Sequence, residues 1–461
     1  MTIKEINEFY KESQSFLRNN QSVEMVGIPY LNPHFPRSVF YKKKKLNFNF
    51  FNKIVKYLLR FFIFNKNFNS YSNKKFKYLI LSHFVSYDNL NYNDDFYFGS
   101  LAEKLGYNNV LFVLIDHAGF NKKKIKKKIK GNYIILAKTL NPFIEVKMLL
   151  NTFFKVFYKS LFNYKLKLLS INNILGSVDN QRISVQVKSI FKKYDFDKFF
   201  FTFEGNPYEK LSCYEAKKIN KNMKSIGYQF SVLRKFQHSI YLNINKKFNP
   251  NLVFTIGNYN KKLLISKFQN RLKVYSTGFL KKKIFNFRKN KIINYKKKIK
   301  VLVMPEGIPS EIELFIKFCL SNQCKEIIFN FRLHPIFKKN KIINEIISKK
   351  SNYTKISNNN INYDFNNNDL ILYRGTASVM DAVKFGLVPV YLAEKNEVSV
   401  DPLFNLNKNH IVKYNDNLFN GINKILKEKK YQNELKKIKK FSETFYEKPN
   451  FKKLINILEN Y

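Results

Sequence analysis

Short runs of almost wholly apolar residues recur along this chain, and most of them end at a glycine, a proline or a charged residue. The first two are KYLILSHF (77–84) and NVLFVLID (109–116), and the segment of helical periodicity between them ends at Gly106. Strands that are apolar at every position are typical of parallel sheets that are covered on both faces. The pattern therefore predicts βαβ units and an α/β fold.

Further runs of this kind fall into two series, on either side of a basic, low-complexity segment. The first series continues at 133–138, 198–203, 225–230, 251–257 and 272–278, and the second comprises 299–307, 326–335, 369–378 and 386–392. We expect an α/β protein with two Rossmann-like domains that face a cleft. The predicted divisions are a helical N-terminal extension with an amphipathic helix (1–75), a first domain (76–280), a basic linker (281–298), a second domain (299–414) and C-terminal helices (415–461).

The chain is strongly basic, with 83 Lys and Arg against 33 Asp and Glu and a formal net charge of +50. Only nine of these basic residues are arginine, although the planar guanidinium group is the best binder of base edges and phosphates. We therefore expect no nucleic-acid partner, which would require a continuous basic stripe with stacked aromatic side chains. The charge is interpreted as a solvated surface with some affinity for anionic membranes.

The sequence contains no recognisable targeting segment. Its N-terminus, MTIKEINEFYKES, lacks the apolar core of a signal peptide. The stretch Leu46–Phe64 is apolar, but Lys53, Lys56 and Arg60 interrupt it at the spacing of one helix face. This stretch is either a helix packed on a domain surface or an interfacial membrane helix. We expect a cytoplasmic protein, with peripheral contact at the inner face of the plasma membrane left open.

Cofactor and metal motifs are missing from the sequence. Three cysteines are too few for a disulfide framework, and Cys319 and Cys324 lack the partners that a zinc site needs. The phosphate loop, the dinucleotide glycine fingerprint, the hydrolase elbow and the metalloprotease helix are also missing. We expect no cofactor and no metal.

Ligands of open parallel sheets bind outside the carboxyl ends of the strands, so the ends of the predicted strands are the candidate sites. In the second domain, FRLHP places Arg332, His334 and Pro335 at such an end, where arginine and histidine suit a phosphate. The alternative is an ordinary surface turn with a structural histidine. MPEG places Glu306 and Gly307 at another end, where the glycine permits close approach of a ligand.

The segment YRGTAS is a further strand-to-helix junction of the second domain. Arg374 and Gly375 end a predicted strand, and Thr376 and Ser378 begin the next helix. Free N–H groups and hydroxyls at a helix N-terminus favour an anion, although simple N-capping by Thr376 explains the same pattern. Arginine is scarce in this chain, so its presence at two strand ends favours phosphate binding.

The first domain offers carboxylates and histidines at its strand ends. In FEGNPYEK, Glu204 follows a strand and Glu209 begins the next helix, so each is a candidate general base or a helix-capping residue. Weaker candidates lie near other strand ends, and each is either a core or loop residue or part of an acceptor site: Ser82, His83, Asp116, His117, Gln237 and His238.

Three of these pieces, taken in order, resemble a known family. Glu204-Gly205, His334-Pro335 and Thr376-Ala377-Ser378 resemble the motifs of bacterial capsule and surface-polysaccharide glycosyltransferases. The likeness is to the polysialyltransferase and Kdo-transferase-like enzymes of GT-B architecture, in the surface carbohydrate biosynthesis group, and it extends over about residues 76–403. One departure is GYQF, which has Phe230 where a histidine is expected, and Gln237-His238-Ser239 is the candidate replacement.

The resemblance implies a metal-independent, inverting glycosyltransferase that uses a CMP-linked sugar. It implies that His334, Thr376 and Ser378 hold the nucleotide phosphate and assist departure of the leaving group, and that Glu204 is the catalytic base. The acceptor would be a surface polysaccharide or a lipid-linked glycan. Arg332 and Arg374 are added from their positions at strand ends and not from the family.

Other functions are compatible with the same residues. A CDP-glycerol-type polymer transferase would use a similar pair of domains. A non-catalytic protein that binds a nucleotide or a glycan would keep the binding residues without turnover. These two alternatives differ from a glycosyltransferase in the ligand that stabilises the protein and in whether that ligand is consumed.

Overall fold

The computed structural model describes residues 3–31, 55, 57, 67–70, 75–90, 95–121, 123, 131–159, 173–235, 238–242, 244–268, 271–281, 298–334, 337, 345, 353–394, 399–406 and 410–461. The chain forms two compact units. The N-terminal unit comprises Ile3–Ser231, Gln237–Lys283 and Glu447–Tyr461. The C-terminal unit comprises Ile284–Tyr446 together with the short segment Val232–Phe236.

The N-terminal unit contains an eight-stranded sheet in the order β1-β4-β3-β2-β5-β6-β7-β8. Only β1 is antiparallel to its neighbour. The strand order reverses between β2 and β5, so the crevice beyond their carboxyl ends is the expected ligand position. The strands are β1 (Phe68–Ser70), β2 (Tyr78–Phe84), β3 (Val110–Asp116), β4 (Tyr133–Ile135), β5 (Lys198–Thr202), β6 (Lys224–Gln229), β7 (Leu252–Thr255) and β8 (Lys273–Ser276).

Helices cover this sheet, and the apolar strands are buried for that reason. Leu79, Ile80 and Leu81 of β2 are at most 1% exposed, as expected for a strand covered on both faces. The helices are α1 (Ile3–Asn19), α2 (Val23–Val26), α3 (Leu101–Leu105), α4 (Pro142–Lys159), α5 (Ile174–Lys193), α6 (Pro207–Ile219), α7 (His238–Tyr241) and α8 (Asn258–Phe268).

The first two helices are part of the core of the N-terminal unit. Phe9 and Leu17 of α1 share a buried cluster with Val156 of α4 and Leu211 of α6. The described part of the predicted N-terminal extension therefore packs as an integral layer of this unit. The expected C-cap at Gly106 is present, with the positive φ of 79° that glycine adopts readily.

The C-terminal unit contains a six-stranded, wholly parallel sheet in the order β11-β10-β9-β12-β13-β14. This is the strand order of a dinucleotide-binding Rossmann sheet, and its switch point lies between β9 and β12. The strands are β9 (Ile299–Met304), β10 (Ile327–Phe331), β11 (Thr354–Ile356), β12 (Leu370–Tyr373), β13 (Val388–Ala393) and β14 (Ile411–Lys413). Five helices follow: α9 (Pro309–Ser321), α10 (Ile361–Asn367), α11 (Val379–Lys384), α12 (Leu418–Lys427) and α13 (Lys429–Phe445). The last helix, α14 (Phe451–Glu459), belongs to the N-terminal unit.

The expected fold class, α/β with two Rossmann-like sheets and flanking helices, is confirmed. Most of the predicted amphipathic stretch Leu46–Phe64 and residues 282–297 of the predicted basic linker lie outside the described residues. No described helix combines the length and the apolar character that a bilayer crossing requires.

Candidate functional site

Three strand ends of the C-terminal unit meet at its switch point. A Cβ atom placed on Gly375, after β12, would lie 1.6 Å from Oε1 of Glu306, which follows β9. A Cβ atom on Gly307 would lie 3.1 Å from Nδ1 of His334, which follows β10. The structure therefore brings together Glu306, Gly307, His334 and Gly375, four residues proposed from the sequence. A side chain at either glycine would press on one of these candidate residues, so glycine allows the close approach.

Arg234 joins this cluster, although sequence reasoning did not select it. Its Nη2 donates a hydrogen bond of 2.5 Å to the carbonyl oxygen of Gly375 and lies 3.5 Å from Oε1 of Glu306. The Arg234 side chain is only 9% exposed, so it contacts neighbouring residues and not solvent. The scarcity of arginine was the available signal, because Arg234 follows a predicted strand as Arg332 and Arg374 do.

Glu306 and His334 differ in exposure and in electrostatics. The Glu306 side chain is 14% exposed, and among the described residues its Oε1 has no hydrogen-bond donor within bonding geometry. His334 is exposed at the surface of the unit. Partial burial lowers the pKa of His334, and the Glu306 carboxylate opposes this shift. A neutral imidazole beside a partly exposed carboxylate can bind hydroxyl and phosphate groups together.

The two arginines proposed for phosphate binding are engaged within the fold. The Arg374 side chain is 1% exposed, and its Nη1 donates to the Leu392 carbonyl oxygen at 3.0 Å. Arg332 donates to the buried carboxylate of Asp364 at 2.5 Å. Their positions at strand ends are as expected, but Arg374 is inaccessible to a ligand and Arg332 neutralises a buried acid. We assign both a structural role.

The hydroxyl pair near β12 is partly accessible. Thr376 and Ser378 are half-buried, and Thr376 Oγ1 accepts the N–H of Ser378 at 3.3 Å. Ser378 is the N-cap residue of α11, but its side chain makes no capping hydrogen bond. Its hydroxyl is therefore not used by the helix that it precedes. Pro335, the partner of His334 in the proposed motif, lies outside the described residues.

At the switch point of the N-terminal unit, Glu204 lies in a loop whose backbone N–H groups donate hydrogen bonds to the Glu209 carboxylate. Glu209 is fully buried and accepts the N–H groups of Glu204, Gly205 and Asn206 at 3.0, 2.8 and 2.9 Å. Burial and the neighbouring Glu204 raise the pKa of Glu209, and these backbone donors act in the opposite direction. Glu209 is thus the capping-box residue of α6 and is inaccessible as a general base, whereas Glu204 is partly exposed.

Gly205 fixes the other side of this loop. Its φ of +82° lies in the region that favours glycine, and a Cβ atom there would come within 2.3 Å of the Ser239 carbonyl group. Ser239 Oγ also donates to the Glu204 carbonyl oxygen at 3.0 Å, and the buried Lys210 Nζ donates to the Ser239 carbonyl oxygen at 3.0 Å. The Glu204 main chain is therefore fixed from both sides, which is the condition for a precisely placed carboxylate.

A hydrogen-bonded histidine pair lies at the same edge of the sheet. His83 Nδ1 is 2.8 Å from Nε2 of the exposed His117, and His83 Nε2 is 3.1 Å from the Tyr208 hydroxyl and 3.3 Å from Thr202 Oγ1. Burial, and then repulsion from His117, lowers the pKa of His83 well below its usual range. Burial is the main cause that raises the pKa values of Tyr97 and Tyr208, and the negative charge of Glu204 raises both further. Glu204, Tyr97, Tyr208 and His83 therefore form one polar group.

The remaining acceptor-side candidates have other roles or lie outside the description. Ser82 is fully buried and donates to Asp95 at 2.9 Å, so it stabilises a loop. Gln237 is outside the described residues, and the His238 side chain is not described. Phe230 packs on Tyr97 with ring centroids 4.5 Å apart, so the position of the expected histidine borders the polar group. Among the described residues, no group of His, Cys, Asp and Glu side chains could hold a metal ion.

The chain matches no protein-family model and no curated protein. Among solved structures, it is similar to UDP-GlcNAc 2-epimerase from Methanocaldococcus jannaschii, with 13% identity, a TM-score of 0.44, and 76% of this chain and 93% of that chain covered. It is also similar to the calicheamicin glycosyltransferase CalG4, with 7% identity, a TM-score of 0.46 and coverage of 79% and 94%. A third likeness is to the glycosyltransferase SnogD from Streptomyces nogalater, with 8% identity, a TM-score of 0.42 and coverage of 84% and 99%. Likenesses of this degree leave the function to be argued from the residues.

Proposed function

We propose that this protein is a metal-independent, inverting glycosyltransferase that moves a sugar from a nucleotide sugar, CMP-linked, to a surface-polysaccharide acceptor. One observation carries the proposal: Glu306, His334 and Gly375 meet at the carboxyl edge of β9, β10 and β12. Nucleotides bind at this position of a Rossmann-like sheet, because the strand order reverses there and leaves a crevice.

In the donor site, the roles follow from exposure and chemistry. His334 is exposed and donates a ring N–H to the phosphate next to the sugar. The Glu306 carboxylate, whose side chain is 14% exposed, accepts a hydroxyl of the ribose. Arg234 is a positioning residue that holds Glu306 and the Gly375 carbonyl group. Thr376 and Ser378 supply hydroxyl donors to the phosphate.

In the N-terminal unit, Glu204 is the general base. It takes the proton of the acceptor hydroxyl while that oxygen forms a bond to the anomeric carbon. The bond from this carbon to the phosphate oxygen breaks, and the electron pair leaves with the nucleotide, whose charge His334 stabilises. Displacement from one side inverts the anomeric centre. The fixed Glu204 main chain supports this role, since a base must keep its distance to the reacting oxygen.

The proposed acceptor is a growing, often lipid-linked, glycan at the cytoplasmic face of the membrane. The surplus of 83 basic over 33 acidic residues supports a peripheral position near anionic headgroups. The donor site does not depend on that position, so the two parts of the proposal can be tested apart.

The test is a thermal-shift panel of CMP, CDP, UDP, GDP and CDP-glycerol on the full chain. A nucleotide at 100 times its dissociation constant stabilises the protein by about 2.7 kcal/mol. We expect CMP to shift wild type, and His334→Ala to abolish the shift, whereas Lys355→Ala, an exposed change on β11, retains it. A shift with CDP-glycerol alone indicates a polymer transferase, and no shift with any nucleotide contradicts the proposal.

The second arm of this test measures release of CMP from the donor that gives the shift. Glu204→Gln keeps the nucleotide shift, because the residue lies outside the donor cluster, and it lowers turnover by about 10²–10⁴-fold, the usual contribution of a general base. Unchanged turnover would remove Glu204 from the mechanism. Binding without turnover in wild type would identify a non-catalytic nucleotide-binding protein.

A further inference from the structure

Helix α4 carries an unusual outward face. Phe143, Phe154 and Tyr158 are 85%, 63% and 69% exposed. Most of the exposed large apolar side chains of the described residues lie on this helix: Phe143, Ile144, Val146, Leu150, Phe153, Phe154, Phe157 and Tyr158. Their spacing of three and four residues places most of them on one continuous stripe. A contiguous apolar surface of this kind marks an interaction site.

The fold does not require this outward face to be apolar. The inner face already anchors α4, because Glu145, Thr152 and Val156 are fully buried. Arg182 of α5 donates to Glu145 Oε2 at 2.9 Å, and Gln181 donates to Thr152 Oγ1 at 2.8 Å. The inner face therefore anchors the helix, and the outward apolar side chains remain exposed.

The charges around the stripe suit an anionic surface. The only acidic residue of α4 is Glu145, which is buried, whereas Lys147 is exposed. Lys155 is also exposed, but its Nζ pairs with Glu24 of α2 at 2.8 Å. Phe154, Lys155 and Tyr158 line one pocket together with Asn19 at the end of α1, and the exposed Arg18 is the neighbouring residue. A lysine beside an apolar stripe, such as Lys147, can extend to a lipid phosphate while the aromatic rings enter the headgroup layer.

A second copy of this chain fits the stripe poorly. In a symmetric pair, Lys147 would be removed from water opposite a surface without an exposed acidic residue on the same helix. Two chains with a formal charge of +50 each also repel one another. Both objections vanish when the partner is a negatively charged lipid surface.

We propose that the outward face of α4 docks on an anionic lipid membrane, with the helix lying in the plane of the headgroups. An 18-residue helix is about 27 Å long, so it offers the stripe as an extended contact. The peripheral membrane position in the proposed function rests on this surface. Nucleotide binding at Glu306 and His334 does not.

The test uses the full chain and vesicles of phosphatidylcholine, with or without phosphatidylglycerol. Because the chain contains no tryptophan, Phe157→Trp introduces a single fluorescent reporter on the stripe. We expect its emission to shift to the blue on phosphatidylglycerol vesicles and to stay unchanged on neutral ones. Tyr363→Trp, at a 52% exposed position of α10, is the matched control and stays unchanged on both.

The double variant Phe143→Ser/Phe154→Ser tests energetics by co-sedimentation with the same vesicles. These side chains are exposed, so the fold is retained, and vesicle affinity falls at least about tenfold because two aromatic side chains no longer enter the headgroup layer. Tyr363→Ser/Ile411→Ser, at exposed positions of the C-terminal unit, leaves the affinity unchanged. The nucleotide shift persists in all of these variants, which separates failure of this proposal from failure of the donor site.

Three outcomes would overturn the docking proposal. Equal vesicle affinity of wild type and the Phe143→Ser/Phe154→Ser variant would show that the stripe is not the contact. Equal affinity of wild type for neutral and anionic vesicles would contradict the role of charge. A concentration-dependent dimer that this variant abolishes, without vesicle binding by wild type, would assign the face to a second copy.

Discussion

The glycines at the two switch points contact different parts of the chain. In the N-terminal unit, the neighbour of Gly205 is main chain, the Ser239 carbonyl group, 2.3 Å from a Cβ atom placed on the glycine. In the C-terminal unit, the neighbour of Gly375 is the end of a side chain, Oε1 of Glu306, and that of Gly307 is the ring of His334. The close neighbour is therefore main chain at Gly205, and it is the end of a side chain that can rotate at Gly375 and Gly307.

This difference matches the two tasks proposed for the units. A general base must keep one distance to the reacting oxygen, and the buried Glu209 carboxylate and the Ser239 hydroxyl hold the Glu204 main chain on both sides. A nucleotide site closes around a ligand, and side chains such as Glu306 and His334 can adjust by rotation. The comparison therefore predicts a rigid edge in the N-terminal unit and an adjustable edge in the C-terminal unit.

The largest effect is expected for Gly205→Ala. The new Cβ atom meets the Ser239 carbonyl group at 2.3 Å, and alanine must adopt a φ of +82°. Left-handed backbone costs about 1–2 kcal/mol and overpacking about 1–3 kcal/mol, so the free energy of unfolding should fall by about 3 kcal/mol. Urea unfolding of the full chain measures this loss.

Gly119→Ala is the matched control for that measurement. It lies in the same unit with a φ of +71°, and no described atom lies within 4 Å of its Cβ position. Only the backbone term applies, so the loss should be about 1 kcal/mol. Equal losses for the two variants would contradict the rigid contact between Gly205 and Ser239.

The difference between interior and edge strands explains how much of the fold could be predicted from the sequence. Interior strands such as β2 and β9 are apolar runs, and all of the predicted runs form strands. The three strands that were not predicted, β1, β11 and β14, lie at sheet edges and have three residues each. Each of these three strands has at most one buried residue, so it leaves no apolar run to detect, whereas β8, also at an edge, has two.

Helix α5 escaped prediction for a different reason. Its buried face carries polar residues, among them Gln181, Arg182 and Gln186. These are satisfied by partners in other elements, as Arg182 is by Glu145, 37 residues away in sequence. Polar residues therefore interrupt the apolar periodicity of a helix that is nevertheless buried.

The candidate site was predictable in position but not in the role of each residue. Glu306, His334 and Gly375 could be proposed because they follow predicted strands, and the carboxyl ends of parallel strands lie at one edge of the sheet. Arg374 and Arg332 occupy predicted positions, but their partners Leu392 and Asp364 are near them only in the folded chain. A sequence does not show which charged side chain is already paired.

A smaller effect should separate the two histidines by their dependence on pH. Burial, then repulsion from His117, lowers the pKa of His83 from its ordinary value of 6.5 to about 3. Below pH 6.5 the unfolded chain binds a proton that the folded chain does not, so stability falls as the pH falls. Between pH 6.5 and 5 this contributes at most about 2 kcal/mol.

His83→Gln removes this contribution, so the difference in stability between variant and wild type should change by about that amount over the same pH range. Taking the difference cancels groups that both proteins share, including Glu209, whose raised pKa acts in the opposite direction. His334→Gln, at an exposed position, should change the pH dependence much less. An equal change in the pH dependence of stability for both variants would contradict the expected difference between His83 and His334.

The smallest effect, and the sharpest test of an adjustable edge, is expected for Gly375→Ala. Its Cβ atom displaces Glu306 from Arg234, which should lower the free energy of unfolding by about 1 kcal/mol and weaken nucleotide binding. In a Glu306→Ala background the same change should have almost no effect on stability, which gives a coupling energy near 1 kcal/mol in a double-mutant cycle. The corresponding cycle of Gly205→Ala with Ser239→Ala should show little relief, because the atoms that obstruct Gly205 belong to the main chain and remain in alanine. If the second cycle gave a coupling energy as large as the first, the obstruction at Gly205 would also come from a side chain, and the contrast between the two edges would be wrong.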